Sequence, residues 1–339
     1  MGAKVTRDDV AKAAGVSTAT VSRVFNHLGT VDKELSRRVL AVANNLNYTP
    51  NAVARSLKTR ETCQLAYIVG GFSNPIYAEV ASAFQGEAFR HGYTINLCIA
   101  DESFDSYMDI FMRHRVDGIL FGSLPQELDP EKLKVLADFG IPLVVNCTVT
   151  VKNDMVSVVD TDFEDGVNQA LEHLVSLGHK RIGYVDGIGR GTNYDIRYKA
   201  FVKFQLDHNL PFNTDHVVFN EAEGKHDNET GYLLMKALLD RVPDITAVMC
   251  TNDFMALGAM NAIRDRGLKI PEDISIVGYD NIVFGELTAP KLTTVHLPKS
   301  EIGVKAVELI VRMRSGEKSL SEKLPAKLIV RESTGPVRP

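Results

Sequence analysis

The 339 residues are 45% apolar and 24% charged, values typical of a globular protein with room for two or three hydrophobic cores. No apolar run approaches the roughly 20 residues of a membrane span, and the N-terminus, MGAKVTRDD, lacks the apolar region of a signal peptide. Four cysteines lie far apart without CxxC spacing, which argues against a disulfide framework or a zinc site and favours a cytoplasmic protein. Residues 1–60 carry a net charge of +6 and the remainder carries −11, so a basic head precedes an acidic body. Such a head suits a phosphate-rich partner.

The stretch from Thr6 to Asn26, TRDDVAKAAGVSTATVSRVFN, predicts two short helices joined by a tight turn. Thr6 caps the first helix with Asp9 in the capping-box position, and Gly15 ends it because glycine adopts a left-handed cap freely. Ser17 caps the second helix. This arrangement is a helix-turn-helix, whose second helix fits the major groove of DNA. The exposed face of that helix carries Thr18, Ala19, Ser22 and Arg23.

Considered alone, this helix pair could also be an ordinary αα-hairpin. A predicted third helix favours the DNA-binding interpretation, because Asp32 caps it and its apolar stripe closes a three-helix core. That stripe comprises Leu35, Val39, Val42 and Leu46.

The segment YTPNAVARSLKTR, from Tyr48 to Arg60, predicts a conditional helix. Pro50 and Asn51 can begin a helix, but only about eight residues follow before a polar stretch, and helix nucleation is costly. We therefore expect a coil that becomes helical when a partner holds it.

Together, TRDDVAKAAGVSTATVSRVFN and LNYTPNAVARSLK resemble the head and hinge of the lactose-repressor (LacI/GalR) family of bacterial transcription regulators. In that family the second helix reads the major groove, and paired hinge helices each insert a leucine into the minor groove of a palindromic operator. The resemblance implies that Thr18, Ala19 and Arg23 read bases and that Leu57 is the wedge. It further implies that Ala54 and Lys58 lie along the minor groove. The phosphate-positioning residues would be Thr6, Ser17, Ser22 and Asn26.

After residue 60, short apolar runs alternate with amphipathic stretches, as in a parallel sheet covered by helices on both faces. The first strand candidates are LAYIVG, TINLCIA, DGILFG and PLVVNC. The second set is MVSVVD, RIGYVDG, HVVF, TAVMCT and ISIVGYD, and AKLIVRES is a last strand. Helices are predicted at 77–91, 163–177, 193–208, 228–239, 253–266 and 300–314. The predicted fold is an N-terminal all-α helix-turn-helix head plus a two-lobed, doubly wound α/β domain.

The resemblance extends over essentially the whole chain, because EHLVSLGHKRIGYVDG, TAVMCTNDFMALGAMNAI and PEDISIVGYDN look like the family's regulatory domain. That domain is similar to periplasmic sugar-binding proteins, and its architecture implies that the chain crosses between lobes near Asp160, Pro290 and Leu324. We expect a head at 1–49, a hinge at 50–61 and an effector-binding and dimerisation domain at 62–339. The N-lobe would comprise about 62–161 and 292–324, and the C-lobe about 162–291 and 325–339.

Ligands of open α/β sheets bind beyond the carboxyl ends of the strands, so two facing lobes share a cleft lined by the residues that follow each strand. In the N-lobe these are Phe72, Ser73, Asn74, Ile76, Tyr77, Asp101, Ser123 and Asn146. In the C-lobe they are Arg197, His226, Asn252 and Asp280.

Family motifs give these cleft residues roles. Asn146, Arg197, Asn252 and Asp280 match positions that hydrogen-bond the effector, whereas Ile76, Tyr77 and His226 match positions that pack against it. Each side chain could instead be a cap or a solvated surface group. Asp253 is expected to cap its helix, and Tyr67, Phe121 and Tyr184, inside strands, are expected in the core.

A carboxylate, a guanidinium, amides and ring faces suit a polyhydroxylated ligand, because each hydroxyl both donates and accepts. We therefore predict a sugar or sugar derivative as effector. The chain departs from the purine-binding relatives, which place an aromatic residue at the position of Ile76. It also departs from the lactose repressor, which has a tryptophan at the position of His226.

Motifs of other chemistry are missing. DGIGRGTN lacks the third glycine of a dinucleotide fingerprint, and GxSxG, HExxH and CxxC are absent, so we predict no catalysis, cofactor or metal. We predict a cytoplasmic, homodimeric repressor, because the tail ESTGPVRP cannot form a tetramerising leucine helix. The alternatives are a sugar-binding transport protein, which the basic head and missing signal peptide disfavour, and a doubly wound enzyme, which the absent motifs disfavour.

Overall fold

The structure is a computed structural model that describes residues 5–25, 31–49, 61–99, 110–111, 113, 115–122, 135, 138–146, 156–187, 196–220 and 227–338. The chain divides into two compact units, Met1–Thr62 and Cys63–Pro339. The predicted hinge at 50–61 lies almost wholly outside the described residues.

The first unit contains three helices in its described part: α1 (Arg7–Ala14), α2 (Thr18–Phe25) and α3 (Lys33–Asn45). The caps are those predicted. Thr6 and Asp9 form a reciprocal capping box, Gly15 takes a φ of 66°, and Asp32 accepts hydrogen bonds from the backbone N–H groups of residues 34 and 35. The Ser17 hydroxyl accepts from Thr20 N at 3.1 Å. Local capping chemistry therefore sets where these helices begin and end.

The core of the head is small and contributed by all three helices. Val10, Val21 and Val39 are completely buried, and Phe25 packs edge-on against Tyr48 with ring centroids 5.7 Å apart. The three-helix core predicted from the apolar stripes is thus confirmed. Ala11 and Ala14 of α1 and Ala43 of α3 are buried beside these valines.

The second unit contains two six-stranded sheets within the described residues. The first has the order β11-β5-β4-β3-β1-β2, and its neighbours all pair in parallel. Its strands are β1 (Gln64–Val69), β2 (Thr94–Ile99), β3 (Gly118–Phe121), β4 (Leu143–Val145), β5 (Val156–Thr161) and β11 (Ser321–Leu324).

The second sheet has the order β12-β10-β9-β8-β6-β7 and is parallel except for its edge strand β12. Its strands are β6 (Ile182–Asp186), β7 (Val217–Phe219), β8 (Ala247–Cys250), β9 (Ser275–Asp280), β10 (Thr293–His296) and β12 (Lys327–Ile329). Continuous burial along β6, β8 and β9 explains their unbroken apolar sequences, because helices cover both faces.

Helices cover these faces as the sequence predicts for a doubly wound fold. On the first sheet, α4 (Pro75–Arg90) and α10 (Lys299–Arg314) share a core with β1. On the second, α5 (Phe163–Ser176) and α6 (Ile196–Asp207) pack on one face. On its other face lie α7 (Asn228–Arg241) and α8 (Asp253–Asp265), and the short α9 (Phe284–Leu287) follows β9.

The second crossing between the lobes lies later than predicted. Because β10 pairs in parallel with β9, the chain returns to the first sheet after His296, not near Pro290, and the N-lobe does not resume at 292. Only four residues long, β10 offers too little pattern to be found from sequence. The equally short β11 was also missed, and AKLIVRES forms only the three-residue β12.

Candidate functional site

The candidate DNA-binding surface is the outer face of α2. Thr18, Ala19 and Arg23 are exposed there, while Ser22 is half-buried. No acidic group among the described residues pairs with Arg23, so its guanidinium is available to a base edge or a phosphate. The Thr6 and Ser17 hydroxyls bond locally, to Asp9 at 2.6 Å and to Thr20 at 2.9 Å.

Four predicted DNA-contact residues lie outside the described residues: Asn26, Ala54, Leu57 and Lys58. The same holds for three predicted effector contacts, Asp101, Ser123 and His226.

Asn74 and Asp280 bring the two lobes together at the cleft. Asn74 caps α4 by accepting a hydrogen bond from Ile76 N at 3.1 Å, and its amide nitrogen donates to the Asp280 carboxylate at 3.3 Å. Asp280 ends β9 in the opposite lobe and is 3% exposed. Two residues that are 206 positions apart in the sequence thus meet at the predicted carboxyl edges.

The other predicted residues of this segment divide between the lobes. Ile76 packs against the core of the second sheet, whereas Phe72 and Tyr77 pack against the core of the first. Ser73 is exposed. The start of α4 therefore contacts both lobes through apolar side chains as well as through Asn74.

Arg197 lies on aromatic rings. Its guanidinium carbon is 5.3 Å from the centroid of Phe163 and 5.5 Å from that of Tyr279, and one N–H donates to Thr251 O at 2.9 Å. The two rings stack with centroids 5.8 Å apart. A guanidinium held on a ring face has a fixed plane, which suits a ligand with two adjacent acceptors. Phe163 could not be selected from the sequence, because its contact with Arg197 depends on tertiary packing.

Asn146 and Asn252 both use their side chains within the fold. Asn146 donates from its amide nitrogen to Val159 O at 2.9 Å. Asn252 caps α8 by accepting from Met255 N at 2.8 Å.

The prediction that Asp253 caps α8 is wrong, since Asn252 holds that position and Asp253 is the first residue of the helix. The Asp253 carboxylate is completely buried and accepts from Ile282 N at 2.8 Å and from the Thr294 hydroxyl. Gly278 makes room for it, because a methyl group there would lie 2.1 Å from the carboxylate. Burial, together with the charge of Asp280, raises the pKa of Asp253 well above its ordinary value.

The residues that follow β9 form an unusual turn. Asp280 and Asn281 have φ values of 112° and 55°, a region that non-glycine residues rarely adopt. Lys299, at the start of α10, donates to the carbonyl oxygens of both residues. Sequence reasoning did not select Lys299, because nothing in the local pattern distinguishes it from a solvated lysine.

A basic three-helix head joined to a two-lobed α/β domain with a polar interlobe contact defines a DNA-binding regulator that carries a small-molecule domain. Comparison with known proteins agrees. The family described as "Bacterial regulatory proteins, lacI family" matches residues 6–51, and "Periplasmic binding protein-like domain" matches residues 171–334.

Relatives match over nearly the full length. The HTH-type transcriptional repressor PurR of Pasteurella multocida (strain Pm70) is 39% identical over 332 residues, covering 96% of this chain and 97% of that protein. PurR of Histophilus somni (strain 129Pt) is 38% identical over 334 residues, covering 96% and 97%. The chain belongs to the lacI family of bacterial regulatory proteins.

Solved structures confirm the fold. The lac repressor dimer bound to operator and the anti-inducer ONPF has a TM-score of 0.81 at 27% identity, covering 98% of this chain and 100% of that one. The transcriptional regulator CelR in complex with cellobiose has a TM-score of 0.72 at 28% identity, covering 97% and 100%.

The chain is a DNA-binding transcriptional repressor rather than an enzyme, as its relatives show. None of the helices in the described part of the chain combines the length and apolar character that a membrane span requires. The described residues also contain no cluster of three or more His, Cys, Asp or Glu side chains placed to hold a metal ion.

Proposed function

We propose that this repressor acts in the cytoplasm as a homodimer, that two heads bind the half-sites of a palindromic operator, and that a sugar or sugar derivative in the cleft controls binding. Lobe closure around the effector changes the contact between the N-lobes of the dimer. That contact sets the spacing of the hinge segments, and hence whether Leu57 can enter the minor groove beside Ala54 and Lys58.

The charge and shape of the head support its role. Its net charge of +6 favours phosphate contact, and α2 presents Arg23 on an exposed face beside the small side chains of Thr18 and Ala19. Small neighbours let the helix approach the groove closely, and Arg can donate two bonds to a guanine. Thr6, Ser17, Ser22 and Asn26 would then fix the phosphates.

The observation that carries the effector proposal is the hydrogen bond between Asn74 and Asp280 across the lobes. At 3.3 Å it is long for a bond to a carboxylate, so a ligand hydroxyl that donates to Asp280 and accepts from Asn74 would improve on it. Arg197 adds a planar donor group in the same domain. Side chains that both donate and accept suit a polyol better than an apolar ligand.

The homodimer proposal is supported by exposed apolar side chains on α9 and on the residue that precedes it. Val283, Phe284 and Leu287 are 55%, 43% and 74% exposed although they are large. Large apolar side chains exposed so near one another in the sequence favour a protein–protein contact. The second copy of the chain is the partner that the family resemblance implies.

A thermal-shift screen tests the effector class, because a ligand that binds the folded state raises its melting temperature. Ribose, cellobiose and galactosides form the sugar arm. Purine bases form the competing arm, because some members of the family bind purines. A shift with a sugar and none with a purine is expected, and the reverse result would overturn the effector proposal.

Gel shift against palindromic operators tests the DNA proposal. The logarithm of affinity should fall linearly with the logarithm of salt, with a slope on the order of −5 or steeper for the dimer, because each neutralised phosphate releases about one counterion. A nearly flat slope would mean that the head does not bind DNA through phosphates.

A further inference from the structure

Lys299 is a buried lysine whose contacts cross from one lobe to the other. It begins α10, which packs on the first sheet, yet its ammonium donates to the carbonyl oxygens of Asp280 at 3.0 Å and Asn281 at 2.5 Å, which end a strand of the second sheet. The side chain is only 5% exposed. Lysine is rarely buried so far unless its charge is matched, so this position has a specific role.

The turn that Lys299 binds would not persist without support. Two successive non-glycine residues with positive φ are strained, and such a conformation survives only where the surroundings fix it. Here the surroundings do so. Asn281 N donates to the Thr294 hydroxyl at 3.2 Å, Ile282 N donates to Asp253 at 2.8 Å, and Lys299 takes the two carbonyls.

The same lysine also reaches α4. Its ammonium lies 3.2 Å from the Glu79 carboxylate, and α4 begins at Asn74, which donates to the Asp280 side chain. The contacts therefore form a closed ring. The Asp280 side chain contacts Asn74, α4 connects Asn74 to Glu79, Glu79 pairs with Lys299, and Lys299 donates to the Asp280 carbonyl oxygen. Elements of the first lobe hold Asp280 from both its main chain and its side chain.

We propose that Lys299 is a positioning residue of the effector site. It holds the turn that directs the Asp280 carboxylate toward Asn74, and it links that turn to α4 through Glu79. This step rests on the proposed function. An effector that engages Asp280 is then sensed by α4 of the N-lobe through two contacts, that of Lys299 and that of Asn74.

The charge of Lys299 matters because acids surround it. The titratable groups facing it are Glu79 of α4, Asp253 of α8, Asp280 of β9, His296 of β10 and Glu301 of α10. Burial and Asp280 raise the pKa of Asp253, whereas Lys299 acts to lower it. Burial, followed by the Lys299 charge, lowers the pKa of His296. Without the ammonium, the pKa of the Asp253 carboxyl would lie higher still.

The first experiment needs no ligand. Amide hydrogen exchange at Asn281 and Ile282 is compared in the wild-type chain, Lys299→Met and the matched control Lys305→Met. Lys305 lies on the same helix but pairs with Glu308 near the surface. Exchange should accelerate about tenfold or more in Lys299→Met only, because the turn loses its two carbonyl contacts. Unchanged exchange would overturn the assignment, whatever the effector proves to be.

The second experiment uses the sugar that gives the largest shift among ribose, cellobiose and galactosides, measured by calorimetry. Lys299→Met should weaken its binding about tenfold or more and make binding more sensitive to acidification, because burial and Asp280 already raise the pKa of Asp253 and the Lys299 charge no longer lowers it. Lys299→Arg keeps the charge and should restore the wild-type pH profile. A uniform loss without a change of pH profile in Lys299→Met would mean a purely structural role and would overturn the proposal.

Glu79→Gln provides a variant that does not threaten folding, since Glu79 is 42% exposed. It keeps the ammonium on the carbonyls, so exchange at Asn281 and Ile282 should match the wild type while the change in operator affinity caused by the sugar shrinks. A full sugar response in Glu79→Gln would overturn the link to α4. If no sugar binds the wild-type chain, the effector class fails, while the exchange result still decides whether Lys299 holds the turn.

Discussion

Tyr67→Phe should stabilise the protein, which is unusual for a change at a fully buried position. The Tyr67 ring packs against Phe84 in the core of the first sheet, with no exposed surface, and its hydroxyl has no hydrogen-bond partner among the described residues. Gly122 accommodates that hydroxyl, because a methyl group there would lie 2.6 Å from it. Burial also raises the pKa of the phenol, as expected for a group taken from water without compensation.

The magnitude follows from the missing bond. A buried polar group without a partner costs about 1–3 kcal/mol of desolvation, whereas removing one oxygen leaves little cavity. We expect the free energy of unfolding to rise by about 1 kcal/mol. The chain contains no tryptophan, so unfolding in urea is best followed by far-UV circular dichroism.

Tyr279→Phe is the matched control, since Tyr279 is equally buried in a strand of the second sheet but donates to Phe163 O at 3.4 Å. Losing a net hydrogen bond should lower stability by about 0.5–1 kcal/mol, so the same substitution should have opposite signs at the two positions. If Tyr67→Phe destabilises as Tyr279→Phe does, the Tyr67 hydroxyl is satisfied in solution, for instance by an ordered water, and the reasoning is refuted.

The remaining predictions concern DNA, effector, packing and pH. Arg23→Ala should weaken operator binding by roughly 1–3 kcal/mol per half-site and relax the preference for one base, as measured by gel shift. An equal loss of affinity on every sequence would mean that Arg23 contacts a phosphate instead. Asp280→Ala and Arg197→Ala should each weaken effector binding about tenfold or more in calorimetry, and an intact response in both would move the site elsewhere. Gly258→Ala should lower stability to urea by about 2–3 kcal/mol, because its methyl would lie 1.8 Å from a backbone carbonyl at the start of α7. Burial lowers the pKa of His179, so below about pH 6.5 the unfolded state binds more protons than the folded state does. The stability of the protein should therefore fall from pH 7 to pH 5.5. His179→Gln should make the urea midpoint of unfolding depend less on pH over that range.

The head could be predicted closely because its determinants are local. Thr6, Gly15, Ser17 and Asp32 act within three residues of the helix ends that they define, so the sequence alone contains the whole interaction. The long apolar strands were found for a similar reason, since burial on both faces leaves an unbroken hydrophobic run. β10 failed because four residues are too few to show a period.

The candidate site could be placed but not assembled from sequence. The rule that ligands lie beyond strand ends selected Asn74 and Asp280 independently, and the structure brings them into contact. The rule could not select Lys299, because the contacts of this lysine with Asp280, Asn281 and Glu79 depend on how the two lobes meet. The cap of α8 was predicted at Asp253, one position beyond the actual cap at Asn252, because Asn and Asp cap helices equally well.

The position of Lys299 in the chain explains why this lysine, rather than a second contact like that of Asn74 with Asp280, holds the turn at Asp280 and Asn281. Lys299 follows directly on the crossing from β10 to α10, and residues next to a crossing move least when two lobes rotate about it. Its contact with the turn can therefore persist whether the cleft is open or closed. Asn74 begins a helix far along the chain from any crossing, so its long bond to Asp280 is the one that opening would break. An effector would then change the Asn74 contact directly, while Lys299 keeps Asp280 in the orientation that the effector must find and links that turn to α4 through Glu79.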